Sequence, residues 1–431
     1  MLTDKNSVIK RLKSFPAHLQ EIISLSRGLG RERGVGVYLV GGFVRDLLLG
    51  VKDYDLDIVV ERDGIGFAHA LCEKLKANFV GHKAFKTATI IKDDGTKIDV
   101  ATSRKETYPA PAALPQVSEG AIEDDLMRRD FTINAIACHI DDGRFGELVD
   151  CCEGIADLKK KSIRVLHEKS FIDDPTRITR AVRFEQRLGF RIDAATRALM
   201  REARKKRMLE KVQKHRVRDE LILIFKENDP AAAFKRLEQL YNVSFIEPTL
   251  RLPKDIKKKF GAIAGAHRWF VSSFPHRRVP ELWLMYCASW VCALSPARLR
   301  RFLSAYAFRR GEALRMVSFQ KEFPKIEALL SLRAVSNVAL HSLLDPLSYE
   351  VIIASYALSK KEKVRRRIEE FFREHHHKKI SVTGKDLLIL GAKPGPHFAA
   401  ILRKILHAKI SGELVSRQEE LAYAKRLIQK L

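Results

Sequence analysis

A chain of 431 residues with 46% hydrophobic content has the length for two to four domains, each able to bury a core of its own. Its six cysteines (Cys72, Cys138, Cys151, Cys152, Cys287, Cys292) show no CxxC spacing, its N-terminus MLTDKNSVIKRLKSF has no apolar signal core, and no apolar run reaches the length of a membrane span; a disulfide-built secreted scaffold and a membrane-spanning protein are therefore excluded, and a reduced, cytoplasmic setting is expected. The formal charge of +26 is one-sided, with 21 Lys and Arg against 23 Asp and Glu in residues 1–150 and 58 against 30 in the remainder, a footprint that suits nucleic acid better than a membrane, since no stretch joins such charge to an apolar face with aromatic anchors.

Residues 1–33 read as an N-terminal helix with Ile9, Leu12, Leu19, Ile22, Ile23 and Leu25 apolar. The β-branched run 35–40 then ends in Gly41-Gly42, after which Phe43, Val44, Leu47 and Leu48 recur at helical spacing. The order is strand, tight glycine turn, helix. Such a helix start offers free N–H groups and the positive end of a dipole, and glycines let a phosphate approach the main chain. Asp53, Asp55 and Asp57 follow, alternating with Tyr54, Leu56 and Ile58, so on a strand the three carboxylates share one face. Like charges that close resist ionising together unless a cation sits between them, and Mg²⁺, which takes carboxylate and phosphate oxygens, meets that need.

GGFVRDLLLG followed by DYDLDIV resembles the signature of the nucleotidyltransferases related to DNA polymerase beta and, within them, the class II tRNA nucleotidyltransferase and bacterial poly(A) polymerase family. The resemblance implies an α+β nucleotidyltransferase head with a mixed sheet, followed by all-α neck, body and tail. It implies metal-holding catalytic aspartates at Asp55 and Asp57, with Gly41, Gly42, Arg45 and Asp46 beside the triphosphate.

Further along, residues 65–76 predict a helix, and 87–91 with 97–101 a hairpin around Asp93-Asp94-Gly95. Asp99 lies in the second strand, either as an outward-facing strand residue or, as in enzymes this chain resembles, as a third catalytic carboxylate. Residues 103–123, with Pro109, Pro111 and Pro115 and no periodicity, predict a loop long enough to be functional. Arg128 to Ala135, RRDFTINA, reads alone as a capped helix start; in the family it is a nucleotide-holding signature, which places Arg129 on phosphate or base and Asp130 and Asn134 on the ribose. Residues 139–150 read as a hairpin closing the sheet, and beyond Glu153 the period is helical to the end.

The segment FIDDPTRITRAVRF sets Asp174 before a proline at a helix start, with Arg177, Arg180 and Arg183 at steps of three on one face. This is either a solvated, phosphate-contacting stripe or a base reader. Guanidinium donates and carboxylate accepts, so an Arg–Asp pair can imitate a Watson–Crick edge without a nucleic-acid template. The segment resembles the family's E-D-x-x-R motif with Asp174 and Arg177 on its D and R, Arg180 and Arg183 on further nucleotide contacts, and Asp173 where Glu is common. Arg216 and Glu220 form an i,i+4 pair, worth about 0.3–0.5 kcal/mol on a helix surface; the resemblance gives them a supporting role, bracing the template helix.

From Pro230 onward the sequence predicts helices with basic faces, including KKEKVRRR at 360–367. His375-His376-His377 is expected to be part of that basic surface, and no HExxH, P-loop or nucleophile elbow occurs. VTGKDL at 382–387 and GAKPGP at 391–396 resemble the family's tail, which clasps the acceptor and TΨC arms of tRNA. The expected sections are an N-terminal helix 1–33, head 34–152, neck 153–228, body 229–378 and tail 379–431. The expected activity is template-independent transfer of AMP from ATP to a tRNA 3′ end. YPAPAALPQV and the template segment look more like the A-adding branch, and the retained 103–123 segment argues against the CC-adding one. Alternatives are CTP as well as ATP in a full CCA-adding enzyme, a poly(A) polymerase, and a non-catalytic RNA-binding protein.

Overall fold

The computed structural model describes residues 4–51, 55–82 and 86–430, in two compact units, Met1–Ile246 and Glu247–Leu431. Asp53 and Tyr54 of the aspartate alternation lie outside the described residues.

The first unit begins with helices α1 (Lys5–Leu12) and α2 (Ala17–Arg33) where one helix was expected. Pro16 separates them, since a proline brings no N–H to the ladder and drives the residue before it out of the helical region. Strand β1 (Val37–Val40) leads into α3 (Gly41–Leu49), and β2 (Leu56–Val60), α4 (Gly64–Leu75), β4 (Thr87–Ile91) and β5 (Lys97–Thr102) follow as the sequence pattern predicts, with a further edge strand, β3 (Asn78–His82), that the pattern did not announce. With β8 (Ala137–His139) and β9 (Leu148–Val149) they form a seven-stranded mixed sheet of order β3-β4-β5-β2-β1-β8-β9. Helix α4 packs on β4 and β5, burying Phe67 and Leu71, while Tyr38, Val40 and Val59 meet Ile122 and Leu126 in a cluster of their own. The parallel pairing of β2 with β5 sets Asp57 opposite Asp99.

The 103–123 segment is no loop. Arg104–Thr107 (β6) and Gln116–Glu119 (β7) pair as an antiparallel ribbon, and α5 (Ile122–Met127) starts within the expected loop. The ribbon stands apart from the main sheet, and the face it covers carries Arg104 and Glu106 instead of apolar side chains, so no apolar alternation marks it. The RRD segment is not a helix start either: α5 ends at Met127, and a single 3₁₀ turn, Thr132–Asn134, follows. Gly154 opens α6 (Gly154–Lys160) against that turn. A Cβ there would stand 2.2 Å from the Thr132 carbonyl oxygen, so only glycine fits.

Beyond Glu153 the chain is helical except for a short parallel pair, β10 (Ser162–Ile163) with β11 (Arg191–Ile192). Helices α7 (Ser170–Asp173), α8 (Thr176–Leu188), α9 (Ala194–Lys205), α10 (Met208–Lys211), α11 (Lys214–Phe225) and α12 (Pro230–Leu240) complete the unit. Helix α12 packs with α8, α9 and α11, through Phe225 on Phe234 at 4.7 Å and Arg236 on Glu185.

The second unit is all helical: α13 (Ile256–Ser273), α14 (Leu282–Val291), α15 (Pro296–Ala305), α16 (Arg310–Leu330), α17 (Asn337–Leu344), α18 (Tyr349–Leu358), α19 (Glu362–Glu370), α20 (Gly384–Ile389), α21 (His397–Ile410) and α22 (Arg417–Ile428). Helix α14, apolar all round, is buried against α13, α16 and α18. Residues 382–424 hold a separate core of Val382, Leu387, Ile401, Ile405 and Ala424, where buried Glu420 accepts from Lys409 and from the N–H groups of Ser381 and Val382. His375 departs from expectation. It sits buried in a π turn after α19, with carboxylate oxygens of Glu370 and Glu374 within 4.8 Å, because the wider turn folds its ring inward, leaving His377 exposed. Among the described residues no helix is long and apolar enough to cross a membrane.

Candidate active site

A cavity of about 490 Å³ in the first unit gathers most of the residues singled out from the sequence: Gly41, Gly42, Arg45, Asp46, Asp55, Asp57, Arg129, Asp130, Asn134, Asp174, Arg177, Arg180 and Arg183. It begins at the β1–α3 turn. Gly41 holds φ +68°, and a Cβ on it would stand 2.7 Å from an Arg129 guanidinium nitrogen and 3.4 Å from Asp57 Oδ2. The glycine therefore lets the start of α3, the Asp57 carboxylate and the Arg129 guanidinium converge within van der Waals reach.

Asp57 leads β2 from the half-buried face, and Asp55 stands exposed just before it. Burial pushes the Asp57 carboxyl up to about 6; Arg129 opposes this, while Asp99 and Asp55 add to it. A carboxylate so crowded by its own kind is one that a cation relieves. The donor set is hard oxygen, which fits a divalent ion of the Mg²⁺ class. Asp99, in register with Asp57, is not in this cavity. Its carboxylate accepts from Thr89 and Lys97 and lines an adjoining cavity that it shares with Asp57 and Arg129.

The nucleotide-side residues form one network. Arg45 makes a bidentate pair with Asp46 (2.9 and 2.7 Å) and donates to Asn134 Oδ1 (2.7 Å). Asp125, fully buried, accepts from Arg128 and Arg129 and so aims both side chains. Asp130 accepts from Asn134 Nδ2 (2.9 Å) and from Arg180 (2.6 and 2.9 Å). Burial alone would raise its carboxyl, but Arg180 and Asn134 outweigh that and hold it at about 2.

Helix α8 supplies the opposite wall. Asp174 precedes Pro175, which caps the helix, and accepts from Thr176 and from Arg216 on α11 (2.8 Å). Arg177, buried, donates to the main-chain carbonyl of Arg128 (2.7 Å). Arg216 and Glu220 do not serve as an i,i+4 pair. Arg216 reaches Asp174, whereas Glu220 lies 3.5 Å from Arg180 and 3.6 Å from Arg183, because α11 packs directly on α8 and cross-helix partners win over the neighbour along the helix. Neither Arg216 nor Glu220 lines the cavity. Arg183 is buried, and its Nε has no hydrogen-bond partner. A buried guanidinium short of acceptors is a place for a ligand that brings them.

Sequence reasoning missed Phe43, Glu106, Tyr108, Arg128, Phe184 and Arg187, which also line the cavity. Arg187 continues the arginine spacing and could have been read. Phe184 sits under four guanidiniums, those of Arg45, Arg180, Arg183 and Arg187, at 5.3–6.0 Å from its ring centre. Glu106, from the polar ribbon, holds Arg104, Arg128 and the Tyr108 hydroxyl.

The chain matches the Poly A polymerase head domain over residues 37–164 and the probable RNA and SrmB-binding site of polymerase A over 189–249. An A-adding tRNA nucleotidyltransferase of Geobacter sulfurreducens is 34% identical over 94% of this chain, which spans about half (47%) of that protein's length. One of Halalkalibacterium halodurans is 31% identical over 95% of this chain and 92% of its own. Among solved structures, a CCA-adding enzyme in its apo form II superposes with a TM-score of 0.77 at 31% identity, covering 99% of this chain and 98% of that one. The Thermotoga maritima CCA-adding enzyme complexed with tRNA gives 0.70 at 31%, covering 98% of each. With a relative of this identity matched along nearly its whole length and the same fold throughout, the chain belongs to the tRNA nucleotidyltransferase family, built on a poly(A) polymerase head.

Proposed function

We propose that the protein transfers AMP from ATP to the 3′-hydroxyl of tRNA, releasing pyrophosphate, as an A-adding tRNA nucleotidyltransferase of the cytoplasm. What supports this most is one cavity in which Asp55 and Asp57 face Gly41 and Gly42 while Asp174 and Arg177 stand on the wall contributed by α8. The names of the relatives favour A addition. A second reading, addition of all of CCA, is favoured by similar solved structures titled as CCA-adding enzyme complexes with ATP and with CTP.

In this reading the start of α3 and Arg45 hold the triphosphate, and Arg129 neutralises it from the side of Asp57. Asp130 and Asn134 take the ribose, and Arg180 must release Asp130 for that. Asp174 and Arg177 read the base edge, Asp174 being held in orientation by Arg216. Asp55 and Asp57 would hold Mg²⁺, which when bound neutralises phosphate charge and lowers the pKa of the attacking hydroxyl. Asp99 keeps Lys97 and Thr89 on the far side of Asp57. The head, neck, body and tail sections at 34–152, 153–228, 229–378 and 379–431 are part of the same proposal, with basic faces of the later helices on the acceptor and TΨC arms of tRNA.

The test supplies tRNA ending at the discriminator base, after one C, and after both, with single labelled nucleotides. ATP going only onto the CC end is the expected result, and Asp57→Ala should abolish it while leaving tRNA binding intact. CTP incorporation onto the shorter ends would replace the A-adding assignment with the CCA-adding one.

A further inference from the structure

The Cys152 sulfur has two sulfur neighbours where the head passes into the neck. Cys152 Sγ lies 3.3 Å from Met127 Sδ and 3.8 Å from Cys151 Sγ. Met127 and Cys151 are exposed, and Cys152 is half-buried against the cluster containing Ile122 and Leu126. None of the three lines the nucleotide cavity.

The main chain around them is fixed. The Asp150 carboxylate accepts from the N–H groups of Cys152 (3.4 Å), Gly154 (2.7 Å) and Ile155 (2.9 Å). Arg164 donates to the Cys152 carbonyl at 2.9 Å. Met127 ends α5, whose backbone is tied to the sheet through Ile122 and Leu126. The sulfurs are therefore held near one another by two separately anchored stretches of chain.

The spacing is that of ligands around a metal. At a metal–sulfur distance of about 2.3 Å, sulfurs stand roughly 3.8 Å apart around a tetrahedral ion and about 4.0 Å apart around a trigonal one. The 3.8 Å pair of thiols already has the tetrahedral spacing, and the 3.3 Å pair of Cys152 and Met127 must open by about 0.5–0.7 Å. Ligand type decides which ion. A thioether is a poor ligand for Mg²⁺ or Zn²⁺, whereas thiolate and thioether together select a soft cation. Burial and the neighbouring Cys151 push the Cys152 thiol up to about 12, so that thiol holds its proton at neutral pH. An incoming ion must displace one proton to solvent from each thiol that coordinates.

We propose that Met127, Cys151 and Cys152 form a binding site for a soft monovalent cation of the Cu⁺ class. Occupancy would strap the end of α5 to residues 151 and 152. Because Arg128 and Arg129 follow Met127 directly, the ion would sit one residue from the arginines of the cavity.

The reduced, full-length protein is titrated anaerobically with Cu⁺ against a chromogenic Cu⁺ chelator, beside the Cys151→Ser/Cys152→Ser double variant and Met127→Leu. The double variant measures the background of the other four cysteines. The wild type should withdraw one more equivalent than it does, release protons, and bind more tightly as pH rises. Met127→Leu, which keeps the side-chain volume, should weaken that extra equivalent by about tenfold or more. Equal uptake by wild type and the double variant overturns the site, and unchanged affinity in Met127→Leu overturns its three-sulfur composition. Silver ion serves as a second probe, with the same pattern expected.

Discussion

Two arginine-rich helices, α8 in the first unit and α19 in the second, use that residue in opposite ways. In α8, Arg177, Arg180, Arg183 and Arg187 recur every three or four residues, so they share a face with Phe184, and Asp130, Glu220 and Glu227 meet them from other segments. In α19, Arg365, Arg366 and Arg367 are consecutive and splay round the axis, while Val364 and Ile368 form the buried side. Arg183 leaves 7% of its side chain exposed and Arg366 leaves 76%. Arg367 caps the carbonyls of Leu330, Leu332 and Arg333, and Arg366 has Glu362 at 3.7 Å. The share of arginine is nearly the same, 4 of 13 residues in α8 and 3 of 9 in α19. Spacing and the placement of opposite charge decide whether arginines build a pocket or coat a surface.

The contrast breaks most sharply at Phe184. Phe184→Ala should lower stability by roughly 3–5 kcal/mol and disorganise four guanidiniums at once; urea unfolding together with ATP affinity measures both, and a loss under about 1 kcal/mol would mean the ring organises nothing. Arg216→Ala comes next. It frees Asp174 from its 2.8 Å partner, and a misplaced base reader should cost about 10²-fold in kcat/KM for ATP with ATP-over-CTP preference reduced. Arg216→Lys, a point charge without the planar fork, should recover little of it.

The Asp130–Arg180 pair sharpens the comparison through pH. The Asp130 carboxyl is held at about 2, below its unfolded value, so its contribution of roughly 2 kcal/mol is present above about pH 4 and lost as pH falls toward 2. The stability gap between wild type and Asp130→Asn should narrow over that interval. The smallest effect belongs to the coated helix. Arg365→Ala/Arg366→Ala should change stability by less than about 0.5 kcal/mol, weaken tRNA binding several-fold, and flatten its salt dependence by about one unit of slope for each phosphate the variant no longer neutralises.

Much of this was legible in the chain. The glycine turn, the aspartate strand and the α8 stripe each carry a local period, and the structure brings them to one cavity. What the sequence hid is non-local. The ribbon 104–119 has no apolar face, so its pairing leaves no pattern, and with it Glu106 and Tyr108 went unseen. Phe184 was given no role, since Arg45, one of the guanidiniums over its ring, comes from the distant α3. Arg216 and Glu220 were visible as neighbours on a helix, yet their partners were decided by the packing of α11 on α8. His375 turned inward because of a π turn that side-chain periodicity does not announce.

The bond from Arg177 to the carbonyl of Arg128 joins two tasks that are usually considered apart. That carbonyl belongs to the peptide plane leading into Arg129, which lies beside Asp57 and the glycine turn. If Arg177 reads the base and Arg129 holds the polyphosphate, as proposed, the two tasks are coupled in series through one amide. On that proposal a mismatched base that failed to draw Arg177 into line would leave the grip on the other end of the nucleotide slack, and fidelity without a template would be a matter of mechanical alignment as much as of matching edges.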